Sequence, residues 1–158
     1  MTLTLYTGYS LRVLIYLGLH TTGLASIGQI SRAYGISRNH LIKVVHNLAR
    51  LGLVETTRGR GGGLRLGRDP ATIRIGEVVR ATEPNFNLAD CFGSRREPCP
   101  ISVECPLKGV FAEARAGFMN VLDGYTLADL LQRPKPLAML LHIQENGKLA
   151  CAGRRALN

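Results

Sequence analysis

Apolar residues recur every three to four positions in several stretches of the chain, which is the spacing of amphipathic helices. The first stretch, LRVLIYLGL over residues 11–19, is mostly apolar. A second stretch starts after Ser26 and ends at Gly35, and a third lies between Ser37 and Gly52. Serine is a preferred helix N-cap and glycine a common terminator, so the pattern predicts two capped helices joined by a short turn. Such a pair is typical of a helix-turn-helix, with Leu41, Val44, Val45 and Leu48 on the inner face of its second helix.

A basic hairpin is predicted directly after this helix pair. Residues 53–57 are β-prone, residues 64–66 alternate like a strand, and the loop between them reads RGRGGG. A helix-turn-helix followed at once by such a hairpin is the plan of a winged helix. A glycine-rich loop could instead cradle nucleotide phosphates, but that site requires a helix after the glycines, and here a strand follows.

The second half of the chain returns to helical spacing after an irregular segment. A short helix over 75–81 is expected to pack on the winged domain. Residues 84–106 contain four prolines and three cysteines. From Leu107 to Leu122 one apolar stripe continues over about four turns. So small a protein offers this stripe little of its own chain to pack against, so we predict a dimerisation helix, with an ordinary core helix as the alternative.

These patterns define the fold class and the organisation of the chain. The fold class is mainly α with a small β-wing, a winged helix-turn-helix plus a long dimerisation helix. We assign residues 1–83 to DNA binding and residues 84–106 to a cysteine-rich cluster-binding loop. Residues 107–141 form the predicted dimerisation helix region, and residues 142–158 are expected to be a flexible tail.

Composition and charge narrow the function. The 158 residues are 46% hydrophobic, which is enough to build a core. The net charge is +9, and residues 1–80 account for +8 of it, with 11 Lys+Arg against three acids. This excess of positive charge predicts that the first half binds a polyanion. The alternative interpretation is a basic surface that only contacts solvent.

Double-stranded promoter DNA is the polyanion that a winged helix-turn-helix binds. The second helix of the pair would place its N-terminal residues in the major groove. There Arg38 could read guanine and Asn39 adenine, whereas Ser37, His40 and Lys43 could equally contact phosphates. The alternative for Asn39 and His40 is helix surface without a base contact. Arg58 and Arg60 lie where a wing tip reaches the minor groove, which attracts arginine. The predicted DNA-binding residues are therefore Ser37, Arg38, Asn39, His40, Lys43, Arg58 and Arg60.

The cysteines are expected to be reduced. No apolar run approaches the length of about 18 residues that spans a membrane, and the first residues lack the basic start of a secretory signal. We therefore expect a cytoplasmic protein without membrane attachment, in which structural disulfides are rare. Cys91, Cys99 and Cys105 follow the spacing C-x7-C-x5-C, and Cys151 lies in the predicted tail.

The cysteine spacing matches neither the paired CxxC of structural zinc nor a thioredoxin-like motif. Two of the four histidines, His40 and His46, lie on the predicted recognition helix, which argues against a Cys-His enzyme. Three thiolates suit a soft metal or an iron–sulfur cluster, whereas the plain alternative is three ordinary reduced cysteines. A thiol-redox enzyme or metal-handling protein is the competing function class, and the basic wing argues against it.

Taken together, the motifs resemble the Rrf-two family of winged-helix transcription regulators, and its nitric-oxide-sensing branch most closely. The resemblance rests on LTLYTGYSLRVLIYL, YGISRNHLIKVVHNLARLGLVET, RGRGGGLRLG and IRIGEVVRATEP, and continues through the cysteine loop to LDGYTLADLL. It implies a homodimeric repressor, not an enzyme, with a [4Fe–4S] or alternatively a [2Fe–2S] cluster on Cys91, Cys99 and Cys105. It further implies that nitric oxide attacks the cluster and releases DNA.

One position departs from the pattern of that branch. Its members have an acidic residue in a Thr-Asp-Tyr pattern near the start, and that carboxylate can be the fourth cluster ligand from the partner subunit. Here the pattern reads Thr7-Gly8-Tyr9, so Gly8 offers no ligand. The fourth ligand could be water, a small thiol or another carboxylate. The x7 spacing is also similar to iron-responsive members, so an iron or redox signal is the alternative to nitric oxide.

Overall fold

The computed structural model describes residues 2–89, 99, 101 and 104–143, and these form seven helices and one two-stranded sheet. The helices and strands, in chain order, are α1 (Leu5–Leu19), α2 (Ile27–Tyr34), α3 (Arg38–Arg50), β1 (Val54–Thr57), β2 (Gly63–Leu66), α4 (Ile75–Thr82), α5 (Pro106–Asp123), α6 (Leu127–Leu130) and α7 (Pro134–Leu140), with a 3₁₀ turn over Pro70–Thr72. The predicted fold class, mainly α with a small β-wing, is confirmed.

The helix-turn-helix forms as its capping residues predict. Ser26 caps α2 in a capping box, in which its side chain accepts from the Gln29 backbone N–H and the Gln29 side chain accepts from the Ser26 N–H. Gly35 ends the helix in the left-handed region at φ 64°. Ser37 occupies the N-cap position of α3, but its side chain makes no capping hydrogen bond, contrary to the expectation that it would.

Helix α1 is the centre of the core. Val13, Leu14 and Leu17 are buried, and they share one apolar cluster with the inner face of α3. That inner face consists of the four residues predicted for it: Leu41, Val44, Val45 and Leu48. Helix α3 is therefore fixed in orientation chiefly by apolar contact with α1.

Helix α1 begins six residues before the start that the apolar pattern predicts. Its first turns contain Thr7 and Ser10, which interrupt the apolar pattern yet are fully buried. Thr4 caps the helix by accepting from the Thr7 N–H at 3.2 Å, and the Ser10 hydroxyl donates to the Tyr6 carbonyl at 2.9 Å. Because their hydrogen bonds are satisfied within the helix, these polar residues are buried at little cost.

The predicted hairpin is present and is attached to the helix-turn-helix. Strands β1 and β2 pair antiparallel, with Val54 opposite Leu66 and Thr57 opposite Gly63. Leu64 also exchanges backbone hydrogen bonds with Ala25, just before α2, at 2.8 and 2.9 Å. The wing is thus held to the body of the domain by its second strand.

Helix α4 packs on α1 as expected, and α5 packs on α4. Gly76 permits the second contact, because a Cβ there would collide with the carboxylate of Asp123. Arg80 donates two hydrogen bonds to that carboxylate, at 2.6 and 2.5 Å. The hydrogen bonds from Arg80 lower the pKa of Asp123, so the pair stays charged at neutral pH.

The end of the described chain returns to the core of the winged domain. Leu127 in α6 is fully buried, and its N–H donates to the Ile73 carbonyl at 2.8 Å. Helix α7 was not predicted, because it contains Pro134 and Pro136. Both lie in its first turn, where the backbone N–H groups have no partner within the helix in any case.

The predicted tail falls mostly outside the described residues. Ile143 packs against the core cluster, and its N–H donates to the Ala138 carbonyl at 2.9 Å. Residues 144–158, which include Cys151, lie outside the described residues. Among the helices that are described, none is long and apolar enough to cross a membrane.

We expect Leu127→Ala to lower the free energy of unfolding by about 3 kcal/mol, because it removes a fully buried side chain from the core. Leu130→Ala in the same short helix is the matched control, since Leu130 is 38% exposed; it should lower that free energy by less than about 1 kcal/mol. Urea unfolding followed by circular dichroism measures both. Equal losses would contradict the assignment of Leu127 to the core.

Candidate nucleic-acid interface and cysteine residues

The outer face of α3 carries the polar residues predicted to meet DNA. Arg38, Asn39, His40 and Lys43 are all exposed, as is Ser37 at the N-cap. They lie at the N-terminal end of the helix, opposite its buried face. Because the Ser37 side chain does not cap α3, the first N–H groups of the helix have no side-chain acceptor there. This end of the helix can therefore donate hydrogen bonds to an anion.

Two tyrosines of α1 contact residues of this face. The Tyr9 ring stacks on the His40 ring at a centroid distance of 6.0 Å, and the Tyr6 hydroxyl donates to the Lys43 carbonyl at 3.5 Å. The guanidinium of Arg12 also lies over the Tyr9 ring, 5.9 Å from the ring centroid. Sequence reasoning missed these contacts; two tyrosines three residues apart near the start were the only signal available.

The loop between β1 and β2 presents Arg58 and Arg60 at its tip, both exposed. Gly59 and Gly61 have positive φ, 96° and 83°, which few other residues adopt. At Gly62 a Cβ would collide with the Thr57 carbonyl. The glycines therefore allow the tight turn that brings both arginines to one tip.

Carboxylates near the wing are occupied by other arginines. Arg65 donates to Glu55 across the hairpin at 2.7 Å, and Arg68 donates to Glu77 at 2.9 Å. Neither arginine is thus a free cation, although both contribute to the charge excess of the first half. In contrast, Arg38, Lys43, Arg58 and Arg60 have no ion pair within the described ranges. These four, with Ser37, Asn39 and His40, are named the basic face.

Two of the three predicted cluster ligands lie within the described residues. Cys99 is exposed, Cys105 is half-buried at the N-cap of α5, and both are free thiols. Cys91 lies outside the described residues, and those described include no group of three His, Cys, Asp or Glu side chains that could hold a metal ion.

The chemistry around Cys105 nevertheless fits an anionic, thiolate-bound group. The first turn of α5 contains no acidic residue, and no side chain caps it. The partial positive charge of this helix end thus lies beside Cys105. Thiolates are the preferred ligands of iron in iron–sulfur clusters, so the donor type also fits.

Gly8 is the position at which the chain departs from the pattern of the nitric-oxide-sensing branch. It lies partly exposed on α1 between Thr7 and Tyr9. A Cβ added there would meet no atom within 4 Å in the described part of the chain. The packing around α1 therefore does not require a glycine at position 8.

Comparison with known proteins identifies close relatives along nearly the whole chain. A model of the Rrf2 family, described as an iron-dependent transcriptional regulator, matches residues 3–133. The chain is 52% identical over 146 residues to the HTH-type transcriptional regulator NsrR of Bacillus subtilis, covering 92% of this chain and 100% of that protein. It is 47% identical over 142 residues to NsrR of Geobacillus kaustophilus, covering 89% and 97%.

Solved structures agree with the fold. CymR, the global cysteine regulator of B. subtilis, is similar at 27% identity with a TM-score of 0.65, over 82% of this chain and 95% of that one. IscR of T. potens is similar in fold at 24% identity with a TM-score of 0.67, over 93% and 94%. The expectation of a regulator rather than an enzyme is confirmed, since the chain belongs to the Rrf2 family of transcriptional regulators and is similar within it to the NsrR proteins.

Proposed function

We propose that this regulator is a homodimeric repressor whose affinity for promoter DNA is controlled by an iron–sulfur cluster that reacts with nitric oxide. The observation that carries the proposal is the basic face: four cations at one end of α3 and at the wing tip, none neutralised within the described residues. The similarity to NsrR proteins supports nitric oxide as the signal.

The basic face supports a specific mode of DNA binding. The N-terminal end of α3 enters the major groove, where Arg38 and Asn39 reach base edges and Ser37 and Lys43 bind phosphates. The stacking of His40 on Tyr9 restricts its ring, which suits a phosphate contact better than base reading. Arg58 and Arg60 enter the adjacent minor groove from the wing tip.

Dimerisation would cover the apolar residues that α5 leaves in solvent. Leu107, Val110 and Val121 are 56%, 57% and 62% exposed, and Met119 is the residue of this helix that is buried in the described chain. An 18-residue helix with so much exposed apolar surface is typical of an interface. Pairing through α5 would place two copies of the basic face on the half-sites of one operator.

Cys91, Cys99 and Cys105 are the residues that would hold the cluster, [4Fe–4S] or alternatively [2Fe–2S]. When bound, the cluster supplies iron that nitric oxide can attack. Cys105 at the start of α5 ties the site to the dimerisation helix. Because Gly8 supplies no ligand, the fourth position falls to water, a small thiol or another carboxylate.

A continuous set of contacts connects the cysteine segment with the recognition helix. Glu83, at the end of α4 and eight residues before Cys91, accepts from the Thr4 N–H at 2.6 Å and from the Thr4 hydroxyl at 3.0 Å. Thr4 caps α1, whose Tyr6 and Tyr9 contact α3. A displacement of the segment after Glu83 would thus reach α3 through the first turns of α1.

An iron-responsive or redox-responsive regulator using the same cysteines is the second candidate. The description of the matching family model as iron-dependent favours it. The two candidates share the DNA-binding face and the ligands and differ in what removes the cluster. A DNA-binding titration of the anaerobic protein with nitric oxide, run beside one with an iron chelator, separates them.

Arg60→Ala should weaken operator binding about tenfold and reduce the slope of log affinity against log salt by about one, because one cation leaves the DNA surface. Iron content should not change. Arg65→Ala is the matched control on the same hairpin, since Arg65 already pairs with Glu55. Fluorescence anisotropy with a labelled promoter fragment measures both. Normal affinity of Arg60→Ala would refute the assignment of the wing.

Cys99→Ala should remove the brown colour and the bound iron and sulfide of protein purified without oxygen, whereas Cys151→Ala should retain them, because only the first cysteine is a proposed ligand. Nitric oxide should release DNA from the wild type and leave the DNA affinity of Cys99→Ala unchanged. A wild type without iron or sulfide, or a colourless protein with full operator affinity, would defeat the proposed switch while leaving DNA binding intact.

Glu83→Ala should leave iron content intact but lower the ratio of DNA affinities between cluster-bearing and cluster-free protein about fivefold, because two hydrogen bonds to a charged group connect the segment to α1. Glu77→Ala, on the same helix but paired with Arg68, is the control. Anisotropy titrations of both forms give the ratio. An unchanged ratio would show that the contact between Glu83 and Thr4 does not couple the cluster to DNA binding.

A further inference from the structure

A cavity of about 450 Å³ lies between the end of α1, one side of α2 and the residues that follow α7, away from the basic face. Its volume falls in the range of small-molecule sites in proteins. Nothing in the proposed DNA or cluster chemistry uses it. Its walls combine a polar half and an apolar half.

Among the described residues, the polar half of the cavity contains hydrogen-bond donors and no carboxylate. Arg32 and Gln29 come from α2, Tyr16 and His20 come from the end of α1, and His142 follows α7. Arg32 has no ion pair within the described ranges, so its guanidinium is available to an anion. Burial raises the pKa of Tyr16, which keeps its hydroxyl protonated and able to donate.

His20 contributes an imidazole ring to the same wall of the cavity. Its Nδ1 is buried and has no hydrogen-bond partner in the described part of the chain. Its ring is held against Tyr16 at a centroid distance of 6.0 Å. A buried polar nitrogen without a partner is energetically unfavourable, because the hydrogen bond that it would make with water is not replaced.

The apolar half consists of Ala33, Leu141 and Ile143. Inorganic phosphate or sulfate would leave these side chains without a partner. A carboxylate attached to a ring or a short alkyl chain would match both halves, because its two oxygens suit one guanidinium and its body suits the apolar wall.

We infer that this cavity is a binding site for a small organic carboxylate with an apolar body, oriented by Arg32 and His20. The carboxylate accepts hydrogen bonds from the guanidinium of Arg32, and the body lies against Leu141 and Ile143. The site requires neither the iron–sulfur cluster nor DNA, so its test is independent of the proposed function.

The test uses 4-fluorobenzoate as the probe and 4-fluorobenzamide as its neutral counterpart, both followed by fluorine NMR with the full chain. We expect saturable binding of the benzoate and at least about tenfold weaker binding of the amide, since the charge-assisted hydrogen bond is lost. Arg32→Gln should weaken benzoate binding by about the same factor. Arg50→Gln, an exposed arginine outside the cavity, should not.

A second variant tests a contribution to binding that does not come from the charge of Arg32. His20→Phe retains a ring against Tyr16 but removes both imidazole nitrogens, and it should weaken benzoate binding several-fold while circular dichroism shows a folded protein. Equal affinity for benzoate and benzamide, or unchanged binding in Arg32→Gln, would show only adventitious attraction to a basic protein and overturn the proposal. Absence of saturable binding would overturn it as well.

Discussion

The packing of α1 against α3 is the contact on which the rest of the molecule depends. Val13, Leu14 and Leu17 of α1 share one core with the inner face of the recognition helix. Because interiors are close-packed, α3 cannot turn without α1 moving with it. Helices α4 and α6 also pack on α1, so a displacement of either helix would be passed to α3 through α1.

Ion pairs with carboxylates determine which basic side chains of the first half remain unpaired. The first half of the chain has an excess of +8, yet Arg65, Arg68 and Arg80 bind carboxylates. These pairs are exposed and add little stability. Arg38, Lys43, Arg58 and Arg60, at α3 and at the wing tip, have no ion pair within the described residues. The fold thus places four of the unpaired cations on the basic face.

The sequence by itself determined the elements that local chemistry controls. Ser26, Gln29 and Gly35 define α2 through capping and a left-handed turn, and the glycines of the wing permit its tight loop, so the winged helix was predictable. The positions of Arg38, Asn39 and Lys43 on the outer face follow from helical spacing alone.

Only the tertiary structure decided the features that depend on residues far apart in the chain. The hydrogen bonds from Thr4 to Glu83 join positions separated by 79 residues, and the stacking of Tyr9 on His40 joins two helices. The early start of α1 depends on polar residues whose burial no local pattern reveals, and the cavity beside Arg32 exists only where the chain returns to α2. Such contacts depend on how the helices pack, and periodicity contains no information about that.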